Sequence, residues 1–111
     1  SLVFRGPKSD EALLVMSSGA KRVDLQKLAR VVGEPVSKAD AAFVRLHTGF
    51  VIGGVAPVGH LSRLRTFVEG SLAAYDDLWA AAGHPHTVFR LSYVELLRIT
   101  RGAVVQAAEP S

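Results

Sequence analysis

The stretch "TGFVIGGVAPVGH", residues 48–60, places four glycines and one proline among apolar side chains. Glycine tolerates positive φ and lets a ligand approach the main chain, and Pro57, four residues after Gly53, fixes one backbone angle. Such a loop can direct backbone N–H groups at an anion or at a developing oxyanion. It can equally be a plain connection, since neither the Gly-Lys-Ser/Thr of a Walker loop nor a dinucleotide fingerprint is present. Both interpretations, a binding loop and a structural loop, stay open at this point.

Three helices are indicated by the residues at their ends. Asp24, Asp40 and Ser92 can each N-cap a helix, and Ser92 has a glutamate three residues later, which is the spacing of a capping box. The predicted helices end at Gly33, Gly49 and Gly102. A further helical turn is expected at 71–74.

Strands are predicted between these helices. Apolar or alternating runs indicate strands at 2–5, 12–16, 65–69, 78–82, 87–91 and 103–107. The run 12–16 is continuously apolar, which predicts a strand buried on both faces, and Trp79 and Phe89 are predicted core residues. Because several strand connections are too short for helical crossovers, the predicted fold class is α+β with a mixed sheet.

The composition suits one globular domain over residues 1–111. Apolar residues make up 49% and charged residues 21%, which is typical of a folded chain and not of a disordered one. There is no cysteine, which excludes disulfides and thiolate metal sites and fits a reducing cytoplasm. No apolar run reaches the roughly 18 residues needed to cross a bilayer. We therefore predict a single cytoplasmic domain with no membrane partner.

Cations are in mild excess, with a formal net charge of +3. Two groups stand near the segments of interest: Lys21 and Arg22 before the first helix, and Arg63 and Arg65 after the glycine-rich stretch. They could neutralise a few phosphates of a nucleic acid. The alternative is an ordinary solvated basic surface, because the aromatic interleaving of a single-strand binder is missing.

Histidines and one carboxylate are the remaining candidates for chemistry. His84 and His86 lie between two predicted strands, without the His-x-x-x-His or His-Glu-x-x-His spacing of a metal site. A hydrogen-bonding or acid–base histidine and a merely exposed loop histidine both fit this position. Glu69 either points into a pocket or charges the N-terminus of the following helical turn. No Gly-x-Ser-x-Gly elbow occurs, which argues against a serine hydrolase.

Taken in order, five segments resemble the YbaK/ProX family of aminoacyl-tRNA editing domains, which also occur inserted in bacterial prolyl-tRNA synthetases. The segments are "SLVFR", "SSGAKRVDLQKLARVVG", "LHTGFVIGGVAP", "RTFVEGSL" and "WAAAGHPHTVFRLSYVELLRI". They cover nearly the whole chain, and the glycine loop is the most specific of them. The resemblance implies a mixed, barrel-like sheet with flanking helices. It also implies hydrolysis, in trans, of the ester between a wrong amino acid and its tRNA.

The same resemblance implies roles for individual residues. In the family the G-x-x-x-P loop lies against the aminoacyl group, so the implied catalytic residues are Gly53, Gly54 and His86. The implied substrate-binding residues are Thr48, Pro57, Glu69 and His84. The tRNA phosphates would be held by Lys21, Arg22, Arg63 and Arg65. The implied partners are mischarged tRNA, with the tRNA for proline as a candidate, and prolyl-tRNA synthetase; no metal or organic cofactor is implied.

Two departures from the family leave alternatives open. The family lysine directly precedes the Ser-Leu-Val-Phe segment, so it would stand before Ser1, and we expect an N-terminally truncated domain. Glu69 stands where the family commonly has aspartate, which lengthens the side chain by one methylene group. Besides an editing enzyme, a non-catalytic module that binds a tRNA end or a protein remains possible. A third reading is an editing domain inserted in a synthetase.

Overall fold

The computed structural model describes residues 2–6, 10–18, 22–61, 64–84 and 86–106. The strands formed by these residues are β1 (Leu2–Gly6), β2 (Glu11–Met16), β3 (Ser37–Lys38), β4 (Arg65–Glu69), β5 (Leu78–His84), β6 (Thr87–Leu91) and β7 (Ala103–Val105). The helices are α1 (Leu25–Val32), α2 (Ala41–Thr48) and α3 (Tyr93–Thr100), with a 3₁₀ turn at Gly70–Ala74. In the described part of the chain, none of the helices is long and apolar enough to cross a membrane.

The first two helices begin and end as their terminal residues predict. The Asp24 carboxylate accepts the N–H groups of residues 26 and 27, and the Asp40 carboxylate accepts that of Phe43 at 2.8 Å. Gly33 and Gly49 then take the left-handed conformation, with φ of +92° and +80°. Local capping therefore accounts for both helices.

The third helix ends one residue earlier than predicted. Ser92 and Glu95 form the expected reciprocal capping box. At the other end Arg101, and not Gly102, takes positive φ, at +51°. Gly102 is needed for a different reason: a Cβ atom there would lie 2.9 Å from Cγ2 of Val68 in β4. The glycine allows the chain to approach β4 closely as β7 begins.

The main sheet is mixed, as predicted, but it is not closed. Its strand order is β3-β1-β2-β4-β7, with β1 antiparallel to β2 and to β3, and with β4 parallel to both β2 and β7. Strands β5 and β6 pair only with each other within the described residues. The implied barrel-like shape is therefore corrected to an open five-stranded sheet and a separate hairpin, which below is called the β5–β6 hairpin.

The continuous apolar run of β2 is explained by apolar packing on both faces of the main sheet. Leu14 and Met16 belong to one core cluster, and Leu13 and Val15 to another. The first cluster contains residues of α2, α3, the glycine loop and the β5–β6 hairpin, namely Val44, Leu96, Val55, Ala80 and Leu91. The second contains Leu28 of α1. Successive residues of β2 therefore meet different partners, as the period of a strand requires.

The prediction that Trp79 is a core residue is wrong. The side chain is 67% exposed, although it lies within β5. Its neighbour Ala80 is buried in the core, and adjacent strand residues point to opposite faces. Phe89 is half-buried and packs against the core, which agrees with its predicted position. Burial in the β5–β6 hairpin is thus confined to one face.

Candidate functional site

The central residues of the glycine loop, which comprises residues 50–60, are buried in the protein. Gly53 has a φ of +84°, which a residue with a Cβ atom rarely adopts. Gly54 is buried, and its N–H group donates to the carbonyl oxygen of Val51 at 2.9 Å. Val55 is 3% exposed and Pro57 is fully buried. The centre of the loop is therefore inserted into the protein and does not trail through solvent.

Thr48 anchors the start of this loop. Its hydroxyl donates to the carbonyl oxygen of Val44 at 2.7 Å and accepts the N–H group of Phe50 at 3.0 Å. The side chain is buried, at the last position of α2. Both functions of the hydroxyl are thus used within the chain, and Thr48 acts as a positioning residue for the loop.

His60 and Phe50 close the loop and connect it to the β5–β6 hairpin. The His60 Nε2 atom lies 2.7 Å from the carbonyl oxygen of Ala56, and its ring meets Phe50 edge-on at 6.0 Å between centroids. A Cβ atom on Gly83 would lie 3.2 Å from the Phe50 ring. Gly83 directly precedes His84 at the end of β5, so the structure brings this histidine's segment to the loop.

The backbone amides of the loop differ in what they bind. The amide of Gly54 is engaged in the turn, whereas those of Gly53 and Val55 find no acceptor among the described residues. An unpaired N–H group is costly in a residue as buried as Val55, so such groups normally have a ligand or a water molecule as partner. These two amides are therefore candidate donors for a carbonyl or an anion, and the binding interpretation of the loop stays a prediction.

A cavity of about 240 Å³ lies where β2 ends and the β5–β6 hairpin begins. Its walls are mostly apolar, with a few polar groups, as in many binding sites. The lining residues are Met16, Ser17, Ser18, Leu72, Tyr75, Asp77, Leu78, Trp79, Ala80, Leu91 and Leu96. Val55 of the glycine loop belongs to the same core cluster as five of these residues. The loop and the walls of the cavity are therefore packed on the same hydrophobic core.

Glu69, a predicted substrate ligand, has a structural role in the fold. It is 3% exposed and N-caps the 3₁₀ turn, where its carboxylate accepts the N–H group of Ser71 at 3.4 Å. This arrangement matches the interpretation of Glu69 as the charge at a helix N-terminus. The turn that it caps supplies Leu72 and leads to Tyr75, and both residues line the cavity.

The two hairpin histidines are exposed and lie side by side. The N–H group of His86 donates to Nδ1 of His84 at 3.2 Å, and the two rings are 5.6 Å apart. Within the described residues, no group of three metal-binding side chains comes together. The pair therefore lies at the tip of the β5–β6 hairpin. The neighbouring Gly83 lies close to the ring of Phe50, which belongs to the glycine loop.

Of the four predicted tRNA-binding cations, the two that the structure describes, Arg22 and Arg65, do not line the cavity. Lys21 and Arg63 lie outside the described residues. Arg22 is exposed, and Arg65 is exposed at the start of β4, where it lies 3.5 Å from the Glu11 carboxylate. Arg65 thus occupies the opposite end of β4 from Glu69.

The sequence alone did not point to the residues that line the cavity or to those that close the loop. Tyr75 and Asp77 carry no motif, and Trp79 was predicted to be a core residue; only their position at the entry to a strand could have drawn attention to them. The contacts of His60 and Phe50 also depend on the folded loop. The spacing of four residues between Ala56 and His60 predicts their hydrogen bond only weakly.

Comparisons with known sequences give the family. The model of the family described as "Aminoacyl-tRNA editing domain" matches residues 1–99. The uncharacterized protein YwhH of Bacillus subtilis (strain 168) is 28% identical over 96 residues, which cover 86% of this chain. The chain spans 60% of the length of that relative.

Solved structures share the fold. A candidate trans-editing enzyme for prolyl tRNA synthetase has a TM-score of 0.93 and 44% identity, over 99% of this chain and 69% of that one. A scaffold protein from computational epitope backbone grafting has a TM-score of 0.93 and 42% identity, with the same coverage. The hypothetical protein APE2540 has a TM-score of 0.90 and 25% identity, over 98% of this chain and 72% of that one. With the match over residues 1–99, these similarities confirm the resemblance: the chain belongs to the family of aminoacyl-tRNA editing domains.

Proposed function

We propose that this chain is the editing domain of an aminoacyl-tRNA deacylase, which hydrolyses the ester of mischarged tRNA in trans. The tRNA for proline is the first candidate substrate. Family membership and the similarity to a candidate trans-editing enzyme for prolyl tRNA synthetase support the proposal. The observation that carries it is the conformation of the glycine loop, in which Gly53 has a φ of +84° and residues 54–57 are buried. Backbone N–H groups of such a loop can stabilise a reacting carbonyl without a protein nucleophile.

In this proposal the loop amides act on the carbonyl group of the ester. The N–H groups of Gly53 and Val55 donate to the carbonyl oxygen as negative charge develops on it. Water attacks the carbonyl carbon, the bond from that carbon to the ribose oxygen breaks, and the ribose oxygen takes a proton. The products are the free amino acid and uncharged tRNA. Gly54 and Pro57 shape the loop, and the neighbouring hydroxyl of the terminal adenosine assists the proton transfer.

The cavity would receive the side chain of the amino acid. Its volume of about 240 Å³ is below the roughly 300–1,000 Å³ of pockets for drug-sized ligands, so a small side chain fits and a nucleotide stays outside. Asp77 in its wall supplies a negative charge for the α-ammonium group of the substrate. His84 and His86, at the tip of the β5–β6 hairpin, would help to orient the substrate from the loop side.

We expect the family lysine ahead of Ser1 to belong to this site. Leu2, the first residue of β1, pairs with Val15 in the antiparallel β1–β2 ladder, and Ser17, two residues after Val15, lines the cavity. A lysine near this end of β1 would bring an ammonium group to the reacting ester.

Deacylation by the full-length protein tests this proposal. The substrates are tRNA for proline charged with alanine, with proline and with phenylalanine, and the reference is the rate in buffer alone. We expect rapid hydrolysis of the alanyl ester and little hydrolysis of the phenylalanyl ester, because the cavity is small. If no ester is hydrolysed faster than in buffer, the enzyme assignment is wrong. Firm tRNA binding without hydrolysis would instead identify the non-catalytic module.

A further inference from the structure

We propose that one face of the β5–β6 hairpin binds the unpaired 3′ end of the tRNA, with a base stacked on Trp79 and a phosphate at Arg90. This outer face consists of Trp79, Ala81, Val88 and Arg90. The inference rests on the proposed function and adds a binding surface beyond the cavity.

The strand register defines the outer face. Trp79 pairs with Arg90, and Ala81 pairs with Val88, so the four side chains lie on one side of the hairpin. Ala80, between Trp79 and Ala81, is buried on the other side. Trp79 is 67% exposed and Val88 55% exposed. Trp79 and Val88 therefore expose apolar surface on the same face, and tryptophan is enriched where proteins bind partners.

The charges of this face suit a nucleic acid. Arg90 lies 3.6 Å from the Asp77 carboxylate, and both side chains are more than half exposed. An ion pair between exposed side chains contributes little, so Arg90 can turn from Asp77 to a phosphate at small loss. An aromatic ring for a base and a cation for the backbone are the two contacts by which proteins hold single strands.

The position of Trp79 selects the tRNA end over other partners. Trp79 lines the cavity together with Tyr75 and Asp77. In this proposal the amino acid occupies the cavity, and the nucleotides joined to it pass along this wall. Trp79 belongs both to this wall and to the outer face, so the two surfaces adjoin. The edge of β5 that faces away from β6 has no paired strand among the described residues.

Tryptophan fluorescence provides a direct test, because Trp79 is the sole tryptophan in the 111 residues. The full-length protein and its Trp79→Leu variant are titrated with uncharged tRNA, and the difference between them isolates the Trp79 signal. We expect saturable quenching by intact tRNA, and its loss when the unpaired 3′ nucleotides are removed. Equal quenching by the trimmed tRNA would overturn the proposal. So would a Trp79 emission already shielded from acrylamide in the free protein, because another segment would then cover the ring.

Kinetic variants separate stacking from structure. Trp79→Leu removes the ring on which a base would stack, so it should raise KM by at least about fivefold with little change in kcat. Trp79→Phe keeps an aromatic ring and should restore most of the affinity. Arg90→Ala should reduce the slope of log affinity against log salt by about 0.7, and Arg90→Lys should restore it. Val94→Ala, which removes exposed apolar surface from α3, is the control and should change neither quantity. Unchanged KM and binding in Trp79→Leu would disprove the inference.

The two proposals can fail independently. If the protein hydrolyses mischarged tRNA but Trp79→Leu leaves KM unchanged, the proposed function holds and the outer face does not bind the 3′ end. If no ester is hydrolysed but the 3′-end-dependent quenching is present, the enzyme assignment fails and the binding surface holds.

Discussion

The main sheet and the β5–β6 hairpin use apolar side chains in opposite ways. Residues 12–16 of β2 are buried throughout, because helices cover both faces of the sheet. The β5–β6 hairpin buries only one face, and on the other face Trp79 and Val88 are exposed. The contrast shows that the main sheet is packed on both faces, whereas the β5–β6 hairpin keeps one apolar face exposed, and that face is the one proposed here to meet the tRNA.

The largest effect is expected from a side chain placed in the glycine loop. If the loop amides stabilise the carbonyl as proposed, Gly53→Val should lower deacylation at least about a hundredfold, because the branched side chain would block access to them. Gly33→Val is the matched control: its φ of +92° resembles the +84° of Gly53, and nothing lies within 4 Å of its Cβ position. Each variant should lose about 1–2 kcal/mol of stability.

Urea unfolding and the deacylation rate, measured on both variants, separate strain from function. Only the loop variant should lose turnover. An equal loss of turnover in Gly33→Val would show that reduced stability is responsible. Wild-type turnover in a folded Gly53→Val protein would exclude the loop as the active site.

The next effect compares the two regions by stability. Leu14→Ala removes a fully buried side chain of β2 and should lower the free energy of unfolding by about 3 kcal/mol. Val88→Ala, on the exposed face of the β5–β6 hairpin, should change it by less than about 0.5 kcal/mol. Chemical denaturation of the full-length protein measures both. A comparable loss in Val88→Ala would mean that another segment covers the hairpin.

A smaller effect concerns the cation at the far end of the sheet. If Arg65 contacts a tRNA phosphate, Arg65→Ala should flatten the salt slope by about 0.7 and raise KM with kcat nearly unchanged, and the double variant with Arg63 should add to this. Arg30→Ala on α1, across the sheet from the cavity, is the control. An unchanged slope in the double variant would leave these arginines as ordinary surface residues.

The smallest effect lies in α3, directly after the β5–β6 hairpin. Ser92→Ala should lower stability by about 1 kcal/mol through loss of the N-cap. Hydrogen bonds from the backbone and side chain of Ser92 lower the pKa of Glu95 from its usual 4.5. The stability that the ionised Glu95 carboxylate contributes is therefore present above pH 4.5 and is lost as the pH falls through the lowered pKa. The stability difference between wild type and Glu95→Gln should close on acidification, and a constant difference would contradict this.

Much of the fold could be predicted because it depends on local chemistry. The caps at Asp24, Asp40 and Ser92 act within a few residues, so their helices follow from sequence alone. The positive φ of Gly53 is equally local. The resemblance to the editing family, carried mainly by the glycine loop, is confirmed over residues 1–99.

The remainder depends on which distant segments meet. Periodicity shows that Trp79 and Ala80 lie on opposite faces of a strand, but not which face another segment will cover, and so the burial of Trp79 was predicted wrongly. The cavity has the same origin, since Met16, Tyr75 and Leu91 are far apart in sequence.

The sequence by itself determined the helices, most strands, the mixed α+β class and the family. The tertiary structure alone decided that the sheet is open and that the cavity lies between β2 and the β5–β6 hairpin, and it chose the capping role between the two interpretations of Glu69. The physical reason is range: capping and backbone preference act between neighbouring residues, whereas burial and cavities arise from packing between segments that the chain brings together only on folding.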